Sequence, residues 1–168
     1  DVLVIRDGKE VTLQATLGDR AAGPLTRVGP GDDAAVITVP RGMDVVSSID
    51  TLVADVHFPA DAAPWLIGYR AIMVSASDLA AMGAEHGWLI VGLTLPIPDV
   101  DWARALTEGM RAALMRANLR LVGGNIARGP LALAVSVHGC VPAGRALLRS
   151  GARPGDRVWV TGTLGGAA

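Results

Sequence analysis

Two adjacent carboxylates, Asp32 and Asp33, follow the turn Gly29-Pro30-Gly31 and precede the apolar run Ala34 to Ile37. A backbone preset by glycine and proline and then closed by two negative charges suits a cationic partner. Successive side chains on an extended chain point to opposite sides, so only one of the two enters a given site. Taken alone, the stretch reads equally well as an Asp-rich surface turn. Further acidic or amide groups recur where elements are expected to end, at Asp50, Asp78 and Asn125.

The elements that must position these groups follow from hydrophobic spacing. Residues 34–39 and 45–53 read as strands separated by the turn Pro40-Arg41-Gly42, and a hairpin between them would bring Asp33 and Asp50 towards one end. Over 63–82 the residues Trp65, Leu66, Tyr69, Ile72, Met73, Ala76 and Leu79 recur at three and four, the stripe of a helix on a sheet. Pro64 suits its first turn and Gly83 its terminus. Asp78 falls in the last turn, where the helix dipole disfavours a negative charge, so compensation by a cation is expected. A strand over 88–95, a second helix over 101–118 and a strand over 131–141 follow. Between the last two, Leu121-Val122 runs into Gly123-Gly124-Asn125, whose glycines permit close backbone approach to a phosphate or metal. Near the start, Asp7-Gly8 between residues 2–5 and 11–13 suits a two-residue hairpin turn. The fold class is therefore α/β (α+β), a four-stranded antiparallel or mixed sheet with two helices on one face. Val45, Val46, Ile49 and Leu89 to Val91 make the strands apolar on both faces, so the other face calls for a second covering layer.

Composition narrows the partners. The chain has 168 residues and a formal charge of -1, with 15 Lys and Arg against 16 Asp and Glu, which provides no electrostatic footprint for nucleic acid or an anionic membrane. A small-molecule partner is expected. The single cysteine, Cys140, precludes an internal disulfide and fits a reducing, cytoplasmic compartment. Its thiol has no base beside it in sequence and reads as a small core residue. The uncharged run 129–144 is broken by Pro130, His138 and Pro142 and is too short for a membrane span. Apolar residues make up 51% but aromatics only 4%, so Ala, Val and Leu must build the core. The chain opens on Asp1 rather than Met, which suggests a trimmed or partial sequence.

The series Gly31-Asp-Asp-Ala-Ala-Val36, Ile49-Asp-Thr-Leu-Val53, His57-Phe58, Ser77-Asp-Leu-Ala-Ala-Met-Gly-Ala84, Val122-Gly-Gly-Asn125, Arg128-Gly-Pro130 and Gly144-Arg-Ala-Leu-Leu-Arg-Ser-Gly-Ala152 resembles the thiamine-monophosphate kinases. The resemblance runs from Gly29 to the last residue. It implies membership of the superfamily shared with aminoimidazole ribonucleotide synthetase, selenophosphate synthetase and the hydrogenase-maturation dehydratase. It also implies two α/β domains, the first closing a β-barrel across a homodimer interface, with ATP and Mg²⁺ in clefts near that interface. On this pattern residues 1–28 are a lead-in, 29–150 an ATP- and Mg²⁺-binding dimerisation domain, and 151–168 the start of a second domain. Residues 158–161 would be its first strand and 162–166 a glycine-rich turn.

The reaction implied is transfer of the γ-phosphoryl group of ATP to thiamine monophosphate, giving thiamine diphosphate. Such a transfer asks a protein for positioning and charge neutralisation by Mg²⁺, which takes carboxylates, phosphate oxygens and water. The resemblance assigns Asp33, Ser48, Asp50, Asp78 and Asn125 to metal, His57 to the thiamine phosphate, and Gly124, Asn125 and Arg149 to ATP. Arg149 would grip phosphate through its bidentate fork, with Arg145 ranked below it. His86 and His138 read as structural. Asn125 stands where many relatives are expected to carry Asp, so its metal site brings an amide oxygen without the charge. Two alternatives remain at this level: a non-catalytic nucleotide-binding or dimerisation module, and another ATP-using member such as the dehydratase. The His57-Phe58 pair and the Arg149-Ser-Gly-Ala152 series speak against the dehydratase.

Overall fold

In chain order the elements are β1 (Val2–Arg6), β2 (Lys9–Leu13), β3 (Thr26–Val28), β4 (Val36–Ile37), β5 (Met43–Val53), α1 (Pro64–Ala81), β6 (Glu85–Leu95), α2 (Val100–Ala117), β7 (Arg120–Arg128) and β8 (Ala132–Pro142), followed by a 3₁₀ turn at Arg149–Gly151. The structure, a computed structural model, describes residues 25–97 and 99–157, and residues 2–6, 9–13 and 86 through their backbone. The expected start of a second domain over 158–168 lies outside the described residues, as do residues 14–24 of the lead-in. β1 and β2 pair antiparallel with Arg6 opposite Lys9, while the expected turn residues Asp7 and Gly8 lie outside the described residues.

The main sheet is mixed and runs in the order β5-β8-β6-β7, with β6 and β7 parallel and the other pairs antiparallel. β5 and β8 are each 11 residues long and pair over their full length. Alternation along these strands sends Leu52, Leu89, Val91, Leu93, Leu133, Val135 and Val137 to the face covered by the two helices, where they form the core. Burying side chains of this kind gains about 1.5–3 kcal/mol each before chain entropy is set against it. α2 starts on Asp99, whose carboxylate accepts from the Asp101 and Trp102 N–H groups at 3.0 Å, and ends on Asn118 in the left-handed region at φ 51°.

Three expectations are corrected. Residues 34–39 do not form a hairpin with 45–53: β4 is two residues long and pairs with β3, while β5 takes β8 as its partner. A full-length match between two long apolar strands outweighs a local turn, and Ala35, Ile37 and Val39 turn towards a separate cluster. The buried side of α1 is Ile67, Gly68, Ala71, Ile72, Ser75 and Leu79, leaving Trp65 and Leu66 exposed. This helix is apolar around much of its circumference, and its packed side combines Ile67, Ile72 and Leu79 with the small Gly68, Ala71 and Ser75. Finally, Gly123, Gly124 and Asn125 lie within β7 instead of beyond a strand end. A Cβ on Gly124 would collide with the Val91 carbonyl oxygen, so that glycine has a packing reason.

Among the described residues, the other face of the sheet is covered at one end only. There Trp88, Val122 and Cys140 are buried against Leu25, Ala35, Ile37, Val39 and Met43. Val45 at the edge of that cluster and Ile49 and Ile90 beyond it stay exposed, Ile49 at 64%.

The two helices meet through glycines. A Cβ on Gly109 would overlap the carbonyl oxygen of Trp65, and one on Gly68 that of Leu106. Backbone cannot yield as a flexible side chain would, so Gly109→Ala should cost about 1–3 kcal/mol. Gly92→Ala, whose Cβ would meet Ala134 at an ordinary 3.8 Å, should be close to neutral. Urea denaturation of the two variants beside the unaltered chain checks both values.

Candidate functional site

β5 is an edge of the sheet, and its helix-facing side chains Val46, Ser48, Asp50 and Leu52 lie under α1. Ser48 Oγ donates to Asp78 Oδ2 at 2.5 Å, joining the middle of the strand to the last turns of the helix. Asp50 is two residues further on the same face, about 7 Å along the strand. Its Oδ2 is buried and has no hydrogen-bond partner among the described residues. A buried carboxylate oxygen without a donor is costly, and a divalent cation with its waters is the kind of partner that removes the cost. The oxygens of Ser48, Asp50 and Asp78 therefore fit Mg²⁺. In α1 the last turn has no basic side chain of its own to offset Asp78 against the helix dipole.

His57 stands just past the end of β5. Its backbone N–H donates to the Val53 carbonyl at 2.9 Å, and the Val53 N–H donates back to His57 Nδ1 at 3.1 Å. The ring is exposed while the next residue, Phe58, is buried in the core. From Asp50 to Val53 is about 10 Å along the strand, so the carboxylates and the histidine share one edge of the sheet.

The remaining candidates are dispersed. Asp33 is exposed in the loop before β4, with its N–H donated to the neighbouring Asp32 Oδ1 at 2.8 Å. Among the described residues no three of His, Cys, Asp and Glu gather closely enough to hold a metal ion, so Asp33 does not join Asp50 and Asp78. Gly124 and Asn125 are on β7, the opposite edge, three strand spacings or about 14 Å from β5. Asn125 is level with Gly92, Ala134 and Thr51 and so lies on the face away from the helices. Arg149 is exposed in the 3₁₀ turn, two residues after Leu147, whose N–H donates to the Met82 carbonyl at 3.0 Å just beyond α1. That brings Arg149 to the end of α1 that carries Asp78.

His138 is held on the face away from the helices, with Nδ1 at 2.9 Å from Ser47 Oγ, Nε2 at 3.2 Å from Ser136 Oγ, and the ring stacked on Trp88. Burial lowers its pKa from the ordinary value, and burial pushes the Cys140 thiol up. Both behave as the structural residues that the sequence suggests. One residue that sequence reasoning overlooked is Asp55, which has φ 61° and accepts the Ala60 N–H at 3.0 Å. The available signal was its type, since Asp and Asn are the side chains that best tolerate the left-handed region.

The family model of AIR synthase related protein, N-terminal domain, matches residues 31–141. The thiamine-monophosphate kinase of Salmonella typhimurium (strain LT2) is 47% identical over 161 residues, covering 95% of this chain and 50% of that protein. The chain thus spans about half the length of the curated relatives it matches. The crystal structure of thiamine-monophosphate kinase from Stenotrophomonas maltophilia K279a is similar with a TM-score of 0.69 and 38% identity, over 73% of this chain and 39% of that one. A structure of AaThiL complexed with AMPPCP and TMP gives a TM-score of 0.59 and 28% identity, over 67% of this chain and 37% of that one.

The unpartnered oxygen at Asp50 yields a direct test. Asp50→Asn replaces a buried charge with a neutral amide, so without divalent cations the melting temperature should stay level or rise. The upward shift that Mg²⁺ gives the unaltered protein should vanish, because that shift requires binding to the folded state. Thermal melts with and without Mg²⁺ read both effects. A variant that melts several degrees lower and still responds to Mg²⁺ would contradict the metal reading of Asp50.

Proposed function

This chain belongs to the AIR synthase related protein family as its N-terminal domain, and from that premise we propose that it is the nucleotide- and metal-binding part of a kinase. The kinase transfers the γ-phosphoryl group of ATP to thiamine monophosphate and releases ADP and thiamine diphosphate. The observation that carries the reading is the buried, unpartnered Asp50 Oδ2 beside the Ser48-Asp78 pair on an open sheet edge. Ser48, Asp50 and Asp78 would hold Mg²⁺, which would supply positive charge to neutralise the phosphates. Ser48, Asp50 and Asp78 supply oxygens on one side of that edge, and Asp33 and Asn125 are the remaining metal residues of the family pattern. His57 offers a hydrogen bond to the phosphate of the acceptor. Arg149 clamps phosphate oxygens of the nucleotide with two parallel N–H groups, and the backbone at Gly124 with Asn125 contacts the nucleotide. Little covalent work falls to the protein, so rate depends on how well these groups hold donor and acceptor in line.

The same reading includes a homodimer. Val45, Ile49 and Ile90 are exposed on a face where Thr51, Gly92, Thr94, Asn125, Ala127, Ala134 and Ser136 carry no charge, the charged Glu85 and Arg120 standing at its Trp88 end. Two copies of such a surface meet without like-charge repulsion, and a second sheet laid over it completes a barrel. A reducing, cytoplasmic setting agrees with the single thiol, and no helix among the described residues is long and apolar enough to cross a membrane. The second reading, a nucleotide-binding or dimerisation module without catalysis, is favoured by one observation: Asn125 lacks the charge of Asp and lies on the far edge from Asp50.

A coupled assay for ADP separates the two. The full-length protein is expected to consume ATP only with both thiamine monophosphate and Mg²⁺ present. Asp78→Asn should lower kcat by about 100-fold or more, the scale of loss when a group that stabilises transferring charge is removed. Residues 1–168 alone should turn over far more slowly than the full-length protein, because positioning contributions are strongly non-additive. Equal rates for Asp78→Asn and the unaltered protein, or for the fragment and the full-length protein, would overturn the proposal.

A further inference from the structure

The loop that carries His57 is built more firmly than its exposure suggests. It spans 54–60, between the end of β5 and the approach to α1. Phe58 is buried in the core and Ala54 pairs with it across the loop. Asp55, at φ 61°, holds the turn from both ends: its N–H donates to the Phe58 carbonyl at 2.7 Å and its Oδ1 accepts from Ala60 at 3.0 Å. Val56 and His57 both donate their backbone N–H to the Val53 carbonyl, at 3.2 and 2.9 Å. The loop thus closes on itself with Val56 and His57 among its exposed side chains.

A left-handed conformation at a residue that is not glycine requires the surroundings to hold it. Here the two hydrogen bonds of Asp55 do so, and the product is a fixed imidazole. The Val53 N–H donates to His57 Nδ1, so Nδ1 carries no proton and the single ring proton sits on Nε2. That nitrogen is left as an outward-facing donor.

We propose that Asp55 is a positioning residue for His57: it locks the 54–60 loop so that Nδ1 stays bonded to Val53 and the Nε2–H is presented as a hydrogen-bond donor to the phosphate of the acceptor. The inference rests on the kinase reading for the identity of that acceptor, and on the loop's own bonds for the rest. Asp55 does not touch substrate. Its effect passes through the orientation and tautomer of the ring, which a neighbouring hydrogen bond sets.

The test uses the full-length protein with ¹⁵N-labelled histidine, of which this chain has three to assign. The ring shifts of His57 in the unaltered protein should report the Nε2–H tautomer before any ligand is added. Asp55→Gly keeps the backbone conformation free of strain but removes the carboxylate, and should mix the two tautomers. Asp55→Asn keeps an acceptor oxygen for Ala60 and tolerates the left-handed region, and should restore the single tautomer. In the kinase assay Asp55→Gly should raise KM for thiamine monophosphate about tenfold, the cost of one misaligned hydrogen bond to a charged group, with kcat and the KM for ATP little changed. Asp55→Asn should behave like the unaltered protein. A His57 ring with its proton on Nδ1, or an Asp55→Gly variant with unchanged tautomer and KM, overturns the inference. If the tautomer contrast holds while the unaltered protein does not phosphorylate thiamine monophosphate, the kinase reading fails instead, and with it the role of His57 towards that substrate.

Discussion

Pairing of β5 with β8 from Met43 opposite Pro142 to Val53 opposite Ala132 decides which side of the sheet each group of β5 occupies. Side chains alternate, so a slip of one residue would move Ser48 and Asp50 to the face without helices and turn Ser47 and Ile49 inward. In the observed register Ser48 meets Asp78 on α1, Asp50 is drawn into the helix-facing layer, and Leu52 anchors the end of the strand in the core. The same register places Val53 so that its outward amide is free to hold His57. Ser48, Asp50 and the Val53 amide that holds His57 are thereby spread along one edge by a single pairing.

The helices depend on that arrangement and contribute to it. α1 lies over β5, and α2 approaches it closely at Gly68 and Gly109. This close packing leaves Asp78 at the rim instead of in the core. The uncharged face beyond Trp88 and Cys140 is the complementary feature, a surface with little to attract water and no charge to repel a copy of itself. Both properties come from a composition poor in aromatic residues and rich in Ala, Val and Leu.

Much of this was legible in the residues. The 3.6-residue period located both helices to within a residue at each end, since Pro64 and the Asp99 and Asn118 caps are local signals. Local signals failed where the decisive partner is distant in sequence. The turn at Pro40-Arg41-Gly42 suggests a hairpin, but the partner of β5 lies about ninety residues away. Equally, no periodicity reveals that β7 runs parallel to β6 and carries Asn125 to the opposite edge. For α1, apolar residues on several sides left the stripe ambiguous until the glycine contact with α2 resolved it. In the candidate site, Asp50, Asp78 and His57 were recognisable by type and by family pattern. The role of Asp55 was not, because one Asp in a short loop gives no sign of its φ angle.

Asp50 Oδ2 is proposed to bind a divalent cation on the helix side of β5. Crystals of the full-length protein grown with Mn²⁺ and a non-hydrolysable ATP analogue would test it through anomalous scattering. The account predicts a strong peak within about 2.5 Å of Asp50 Oδ2, on the same side of the strand as Ser48 and Asp78. Fully occupied Mn²⁺ peaks elsewhere, with Asp50 Oδ2 still without a partner, would contradict it.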